Sequence, residues 1–252
     1  MLKSTNTSND VIRIVQPRQG IWRTYDGTDG LPPGHYFCLL QDRQGYLWLG
    51  AEKGLCRYDG VRFITYTTKD GLPANCVTSI CEDSQGCLWV GTDGGVSCYD
   101  GERFTNYSAE DGLVGIMITS ICEDSHGRLW FGSNGGVSCY DGERFINYTT
   151  EDGLAGKNVQ AICEDSQKRL WFGTNGGVSY YDGEIFINYS TQNGLAGKNV
   201  QAICEDNQER LWFSIRDGGV CCFDGRIFTT YTTADGLLDI NGTDNELFSF
   251  DY

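Results

Sequence analysis

Paired acidic residues recur along this chain at a regular spacing and could bind cations. Glu-Asp steps stand at 82–83, 123–124, 164–165 and 205–206, and each is followed by a polar turn-forming segment. Carboxylate oxygens are preferred Ca²⁺ ligands, but calcium loops concentrate several of them within about twelve residues. Two acids per copy fall short of such a set. We therefore expect these acids to shape turns, and we predict neither a metal site nor a cofactor.

Cysteine follows the same spacing. The chain has 12 Cys, and those at 81, 122, 163 and 204 share one phase in which Leu40 fills the first copy. Cys98, Cys139 and Cys222 share a second phase, which Tyr180 fills in one copy. Replacement by Leu and Tyr indicates a position that needs an apolar side chain, and no Cys-x-x-Cys pair is present. We expect reduced core cysteines, with disulfides and metal binding as alternatives.

General acid–base chemistry has few candidates. The chain has two histidines, His35 and His126, and histidine is the commonest side chain in this role. His35 falls in a segment between repeats and His126 in a turn within a repeat, so we expect them on opposite faces. No G-x-S-x-G, H-E-x-x-H or phosphate-binding motif is present. The sequence favours a protein that is not an enzyme.

A tandem repeat supplies the elements that must position these residues. Trp48, Trp89, Trp130, Trp171 and Trp212 lie 41 residues apart, and such a period indicates one supersecondary unit copied in tandem. Between residues 75 and 113, four short runs rich in β-forming residues, VTSICED, CLWVG, VSCY and RFTNYS, alternate with polar, Gly-containing turns. Four antiparallel strands per copy predict a β-propeller blade, with the tryptophan packed between neighbouring blades.

The two ends of the chain determine the predicted number of blades. The fourth-strand pattern occurs six times, first at Trp22 and last at Phe228, and the tail segment ELFSF places Phe248 in the tryptophan position. We predict an all-β, six-bladed β-propeller that forms one domain over residues 1–252. Five continuous blades start near residues 35, 76, 117, 158 and 199. A composite blade combines residues 11–25 with residues 238–252, with Phe248 beside Ile12–Val15, and so removes the open strand edges.

The repeat resembles the two-component-regulator propeller repeat over about residues 11–238. The copy around Trp89 carries the pattern of that family at Ile80, Glu82, Asp83, Gly86, Leu88, Trp89, Gly91, Thr92, Gly94, Tyr99, Asp100, Gly101, Phe104, Tyr107, Asp111, Gly112 and Leu113. The resemblance implies a propeller fold and a role in ligand sensing, often of carbohydrate fragments, because such propellers commonly form periplasmic sensor regions of hybrid histidine kinases. This chain departs from that pattern in having fewer units, no kinase region and no membrane helix.

The loops that lead from one predicted blade to the next are the candidate binding region. Each begins with Asp-Gly-Leu or Asn-Gly-Leu and then differs between copies, and functional residues favour loops on rigid supports. We predict a central mouth with the ligand-binding residues His35, Tyr36, Asn75, Lys157, Asn158, Lys198, Asn199 and Asn241. The repeated Lys-Asn step suits a small polar or anionic ligand, or a polyhydroxylated one, and a protein partner is the alternative. Drift after recent duplication is the competing explanation.

Composition disfavours several partners and indicates a location. The net charge of −15 disfavours nucleic acid and anionic membrane surfaces, since both bind through Lys and Arg. No apolar stretch approaches the ~20 residues of a membrane helix, and the first residues lack the pattern of a secretory signal. We therefore expect a cytoplasmic monomer.

Three functions stay open on the sequence alone. The first is a non-enzymatic ligand-binding or protein-interaction module. The second is a divalent-cation-dependent lyase or hydrolase on a propeller, similar to virginiamycin-B lyases, for which His35 with Asp239 or Glu246 is the available pairing. The third is a recently amplified repeat scaffold with no evolved ligand.

Overall fold

Twenty short β-strands form the part of the chain that the computed structural model describes, residues 24–216 and 218–237. They build five separate sheets of four antiparallel strands, and in every sheet the strands follow chain order. The prediction of an all-β protein with four antiparallel strands per repeat is confirmed.

Each sheet is one blade, and the blades are numbered in chain order. Blade 1 contains β1 (Tyr36–Gln41), β2 (Leu47–Ala51), β3 (Gly54–Tyr58) and β4 (Phe63–Tyr66). Blade 2 contains β5 (Val77–Glu82), β6 (Leu88–Thr92), β7 (Gly95–Tyr99) and β8 (Phe104–Tyr107). Blade 3 contains β9 (Ile118–Glu123), β10 (Leu129–Ser133), β11 (Val137–Tyr140) and β12 (Phe145–Tyr148). Blade 4 contains β13 (Val159–Glu164), β14 (Leu170–Thr174), β15 (Gly177–Tyr181) and β16 (Phe186–Tyr189). Blade 5 contains β17 (Val200–Glu205), β18 (Leu211–Ile215), β19 (Gly219–Phe223) and β20 (Phe228–Tyr231).

The first strands of successive blades lie side by side, with β1 against β5, β5 against β9, β9 against β13 and β13 against β17. The other three strands of each blade follow outward from this innermost strand. One end of the molecule therefore carries the loops that enter each first strand and the turns between second and third strands, and we call it the mouth. The opposite end carries the remaining turns, and we call it the base.

The structure shows five blades, not the six that the sequence predicts. The predicted sixth blade combines residues 11–25 with residues 238–252, and only Thr24 and Tyr25 of these belong to the described residues. The predicted pairing of Phe248 beside Ile12–Val15 also lies outside them.

The core lies between the blades, because each sheet is apolar on both faces. Trp130 of blade 3 is fully buried; its ring stacks on Tyr148 of the same blade at 5.7 Å and meets Phe172 of blade 4 at 5.7 Å. The aliphatic side chains of Val137 and Val159 complete this layer and are also fully buried. The predicted role of the tryptophan in packing between blades is confirmed, and burial of an indole of this size stabilises the contact strongly.

A 3₁₀ turn follows the fourth strand of each of the five blades, and in blades 1 to 4 it leads to the next blade. In the turn Thr68–Asp70, Thr67 and Asp70 form a reciprocal capping box, and Gly71 ends the turn with φ of 111°. Ser190 and Asn193 form the same box after blade 4, with Asn in place of Asp. In every copy the side chain of the first residue of the Asp-Gly-Leu pattern therefore accepts a backbone N–H. An Asn side chain has an acceptor oxygen in the same place, which explains why Asn serves in one copy.

Glycine is required where the third strand begins. Gly95 has φ of +130°, and a Cβ atom there would lie 2.4 Å from the carbonyl oxygen of Tyr107 in the neighbouring strand. Gly101, in the turn between β7 and β8, has φ of +100°, but a Cβ atom there would meet open space. Both glycines have a left-handed backbone, but a Cβ atom would clash with the neighbouring strand only at Gly95.

Gly95→Ala and Gly101→Ala separate these two effects. We expect Gly101→Ala to lower the free energy of unfolding by about 1–2 kcal/mol, the cost of a left-handed backbone for a residue with a Cβ atom. Gly95→Ala must also displace the carbonyl of Tyr107, so we expect a loss of roughly 3–5 kcal/mol. Urea unfolding followed by tryptophan fluorescence measures both values. Equal losses in the two variants would show that the clash at residue 95 does not matter.

Candidate functional site

The aspartate of each acidic pair closes a turn and holds the tryptophan. Asp124 Oδ1 accepts the backbone N–H groups of His126 and Arg128, both at 2.9 Å. Its Oδ2 accepts Nε1–H of Trp130 at 2.8 Å and Nε–H of Arg128 at 2.7 Å. The same indole-to-carboxylate bond, at 2.7–2.8 Å, joins Trp48 to Asp42, Trp89 to Asp83, Trp171 to Asp165 and Trp212 to Asp206.

The glutamate of each pair joins two blades. Glu123 of blade 3 accepts the backbone N–H of Ser84 at 2.7 Å and its hydroxyl at 2.6 Å, both from blade 2. Glu164 with Ser125, and Glu205 with Ser166, repeat this contact between the later blades. Both acids of the pairs therefore have structural partners at the base. Among the described residues, no three His, Cys, Asp or Glu side chains converge as a metal site would require.

All twelve cysteines are free thiols in the structure. The phase that contains Cys81, Cys122 and Cys163 lies in the innermost strands. Burial, as the main cause, raises the pKa of Cys81 to about 11 and the pKa values of Cys122 and Cys163 to about 12. Thiols with such pKa values are poor nucleophiles near neutral pH and behave as core side chains.

The two histidines lie at opposite ends of the blades. His35 is exposed and stands directly before β1, at the mouth. His126 lies in the turn between β9 and β10, at the base. The expectation that they do not share one site is confirmed. Asp239 and Glu246, the proposed carboxylate partners of His35, lie outside the described residues.

At blades 1 and 2, the predicted binding residues make contacts that support the loops. The carbonyl of His35 accepts the N–H of Glu52 at 3.0 Å. The hydroxyl of half-buried Tyr36 donates to the carbonyl of Pro32, and burial raises the pKa of this phenol. Asn75 Oδ1 accepts the N–H of Thr68 at 2.9 Å and so supports the preceding 3₁₀ turn.

At blades 4 and 5, four predicted residues lie on neighbouring first strands. Lys157 and Lys198 are exposed and precede β13 and β17, each separated from its strand by one asparagine. Asn158 accepts Asn175 N–H at its carbonyl (3.0 Å) and donates its own N–H to Asn175 Oδ1 (3.2 Å). Asn199 Oδ1 is buried and has no hydrogen-bond partner among the described residues. The remaining predicted residue, Asn241, lies outside those residues.

A further cation at this part of the mouth was missed by the sequence reasoning. The turn between second and third strands carries, at one position of the repeat, Glu52, Asp93, Asn134, Asn175 and Arg216. Arg216 is exposed, and its backbone N–H donates to the carbonyl of Asn199 at 2.8 Å, which places it beside that residue. At this position carboxylates therefore stand in blades 1 and 2, amides in blades 3 and 4, and a cation in blade 5. Comparing this turn across the copies would have revealed the change.

A shallow cleft of about 240 Å³ lies at the base, away from the mouth. It is lined by Gln167, Arg169, Gln208, Glu209, Leu211, Phe223, Asp224 and Gly225. Its main cation, Arg169, already forms an ion pair with buried Asp165 at 2.7 Å and lies 5.3 Å from the ring of Trp171. This guanidinium supports the repeat, so the mouth is the better candidate site.

Five four-stranded antiparallel sheets whose first strands lie side by side define a protein of the β-propeller class. Two component regulator propeller repeats match the chain five times, at residues 30–53, 71–94, 112–135, 153–176 and 194–217. The chain belongs to the two component regulator propeller family, as the pattern around Trp89 predicted. No curated protein sequence matches it.

Solved structures share this fold at low sequence identity. The extracellular domain assigned to a hybrid two component system of B. thetaiotaomicron is 24% identical, with a TM-score of 0.69 over 75% of this chain and 28% of that one. A second extracellular domain from B. thetaiotaomicron, assigned to a one component system, is 23% identical, with a TM-score of 0.58 over 81% and 38% of the two chains. Virginiamycin B lyase from Staphylococcus aureus, with quinupristin, is 17% identical, with a TM-score of 0.65 over 79% and 70%. The chain thus spans about a third of the similar sensor domains, and these likenesses show the fold.

The expectation of a cytoplasmic location is wrong. The similar sensor structures are extracellular domains, which contradicts that expectation. The expectation rested on the lack of a secretory-signal pattern and of a membrane helix, and such a lack does not determine the compartment. Within the described residues, no helix has the length and apolar character needed to cross a membrane.

The hydrogen bonds to Asp124 predict how stability depends on pH. Burial alone would raise the pKa of this carboxyl, but the bonds from Trp130 and Arg128 outweigh burial and lower it below 3.8. A carboxyl with a lower pKa in the folded state contributes stability above its unfolded pKa of about 3.9 and loses that contribution as the pH falls further. Asp124→Asn should lower the free energy of unfolding by about 2–3 kcal/mol at pH 7, since it weakens charge-assisted bonds.

Urea unfolding of Asp124→Asn and wild type at pH 7, 5, 4 and 3 measures this effect. We expect the difference between the two proteins to be constant above pH 5 and to shrink below pH 4. Glu143→Gln is the matched control, because it removes the same charge from an exposed turn at the base. A constant difference down to pH 3 would contradict the assignment.

Proposed function

We propose that this chain is the ligand-binding part of a sensor, and that the ligand binds at the mouth over blades 4 and 5. The observation that carries the proposal is the group formed by Lys157, Lys198, Arg216 and Asn199. Three exposed cations stand in the loops and turn of the same two blades as a buried amide oxygen that lacks a hydrogen-bond partner among the described residues. Family membership and the fold shared with extracellular sensor domains support a sensing role.

The chemistry of this group favours a small, anionic, hydroxyl-rich ligand. Ammonium and guanidinium groups provide the charge complement of a carboxylate or sulfate, and the guanidinium also provides a planar pair of donors. Asn199 Oδ1 is an acceptor and suits a ligand hydroxyl. A buried acceptor without a partner costs about 1–3 kcal/mol, so a ligand that donates to it recovers this energy.

The net negative charge of the whole chain restricts where an anionic ligand can bind. With a net charge of −15, an anion is repelled by most of the surface. Carboxylates such as Glu52 and Asp93 extend this repulsion to the mouth over blades 1 and 2. A grouping of cations in such a background favours one position and one orientation of a charged ligand.

Binding of trigalacturonate, with maltotriose as a neutral oligosaccharide of equal length, tests the proposal. We expect trigalacturonate to raise the melting temperature by several degrees at saturation, and maltotriose to have no effect. Lys157→Glu combined with Lys198→Glu should weaken binding by at least roughly 10-fold, because two attractive charges become repulsive. Titration calorimetry at two salt concentrations measures the affinity, which should fall as salt rises.

Arg103→Glu combined with Arg226→Glu is the matched control, since both residues are exposed at the base and the net charge changes equally. This variant should bind as wild type does. Equal losses of affinity in both double variants would show that only the net charge of the protein matters. Binding of maltotriose as tight as that of trigalacturonate would show that the cations do not contact the ligand. Either result would overturn the assignment of the ligand to this part of the mouth.

A further inference from the structure

Two positions beside each tryptophan are in contact in several blades, and their residues differ from copy to copy. Across the five copies, these pairs are Tyr46 with Arg57, Cys87 with Cys98, Arg128 with Cys139, Arg169 with Tyr180, and Arg210 with Cys222. The first member stands two residues before the tryptophan, and the second is the cross-strand partner of that tryptophan. Both members therefore project from the same face of two paired strands, as diagonal neighbours.

Contacts in the other blades show how close these positions are. The guanidinium carbon of Arg57 lies 4.8 Å from the ring centre of Tyr46. The guanidinium carbon of Arg169 lies 5.7 Å from the ring centre of Tyr180. In blade 2 the same two positions both carry thiols, and both pack against the hydrophobic cluster of Trp89.

The two thiols of blade 2 lie on the same face of the sheet as diagonal neighbours and pack against one hydrophobic cluster. Burial, the proximity of Cys87 and a hydrogen bond between the two thiols raise the pKa of Cys98 to about 12. The partners of Cys139 and Cys222 at these positions are Arg128 and Arg210, so the equivalent cysteines of blades 3 and 5 have no thiol there. Blade 2 is thus the copy in which the contact joins sulfur to sulfur.

We propose that Cys87 and Cys98 are a disulfide site that links β6 to β7 within blade 2. Cys87 follows the exposed turn residue Gly86 and is partly exposed, which makes it the sulfur that an external oxidant reaches first. The extracellular location of similar sensor domains is one where disulfides persist.

The oxidant is a small-molecule disulfide, and the reaction balances in two exchanges. Cys87, as a thiolate, attacks one sulfur of the oxidant, forms a mixed disulfide and releases one small thiolate. Cys98 then gives its proton to solvent, and its sulfur attacks Sγ of Cys87 and releases the second small thiolate. The two protein sulfurs lose two electrons in total, and the oxidant gains them as two thiols.

This bond would replace a contact that blade 2 lacks. In blade 3 the residue at the first position, Arg128, donates to Asp124 at 2.7 Å and lies over the ring of Trp130 at 5.3 Å. Cys87 occupies the equivalent position and cannot make either interaction with Asp83 and Trp89. A covalent link between the same two strands restrains that turn in a different way.

Peptide mapping after controlled oxidation tests the site. Protein purified under reducing conditions is incubated with oxidised glutathione, its remaining thiols are blocked, and it is cleaved on the amino side of Asp83, Asp93 and Asp100. The cleavage gives peptides 83–92 and 93–99, each with one cysteine. We expect these two peptides to be found joined, and to separate on reduction, in most of the oxidised protein.

Stability measurements with two variants provide the second readout. Cys87→Arg reproduces the pair of blade 3, and Cys87→Arg combined with Cys98→Tyr reproduces the pair of blade 4, so both changes copy arrangements that the fold already accepts. Oxidation should raise the melting temperature of wild type by roughly 5 °C, because the link restricts the unfolded chain. Neither variant should respond.

Two outcomes would overturn the proposal. One is recovery of peptides 83–92 and 93–99 unlinked, or carrying only glutathione, after full equilibration with the oxidant. The other is a rise in melting temperature on oxidation that is equal in wild type and in both folded variants, which would place the reactive cysteines elsewhere.

Discussion

The hydrogen bond from the tryptophan indole to a buried aspartate is the interaction on which this repeat depends. A four-stranded sheet with two apolar faces can be stable only between two other sheets, so its largest side chain must face a neighbouring blade at a fixed angle. The bond from Trp130 Nε1 to Asp124 Oδ2, at 2.8 Å, fixes that angle and satisfies the polar atom of the indole. The other oxygen of the same carboxylate closes the turn between the first two strands. One aspartate therefore supports both the pairing of strands within a blade and the packing between blades.

The residues around this carboxylate tolerate little substitution, whereas other parts of the repeat tolerate more. Glu123 joins the same turn to the preceding blade, and Gly95 is held against the carbonyl of Tyr107, so the base and the strands tolerate little change. The loops that enter the first strands need only a 3₁₀ turn with its capping box and one backbone bond to the neighbouring turn. Their remaining side chains are therefore available for binding, and the cations of blades 4 and 5 stand there.

Most of the scaffold could be predicted from the sequence, because its signals are local and repeated. The strands, the turns and the packing role of Trp130 each leave the same trace every 41 residues. The bond between Glu123 and Ser84 could not be predicted, since it joins two copies through side chains that also suit an isolated turn. Asn75 was expected to bind ligand, but its amide supports a backbone N–H. The location could not be predicted, because the expectation was drawn from the lack of signal and membrane-helix patterns, and a missing pattern does not identify a compartment.

Where one copy of the repeat has a different residue, the reason for the change depends on whether the side chain takes part in a contact that holds the fold together. At Cys87 the residue differs from every other blade, while Cys98 keeps the cysteine of blades 3 and 5, and both pack against the cluster of Trp89 as the scaffold requires. At Arg216 the backbone bond to the carbonyl of Asn199 is kept, while the side chain, an amide in blades 3 and 4, is an exposed cation. The fold gains nothing from an exposed cation there, since its backbone contact is satisfied by any residue. A change that leaves the structural bond intact and adds an exposed charge at the mouth is the kind of departure that supports the proposed binding role.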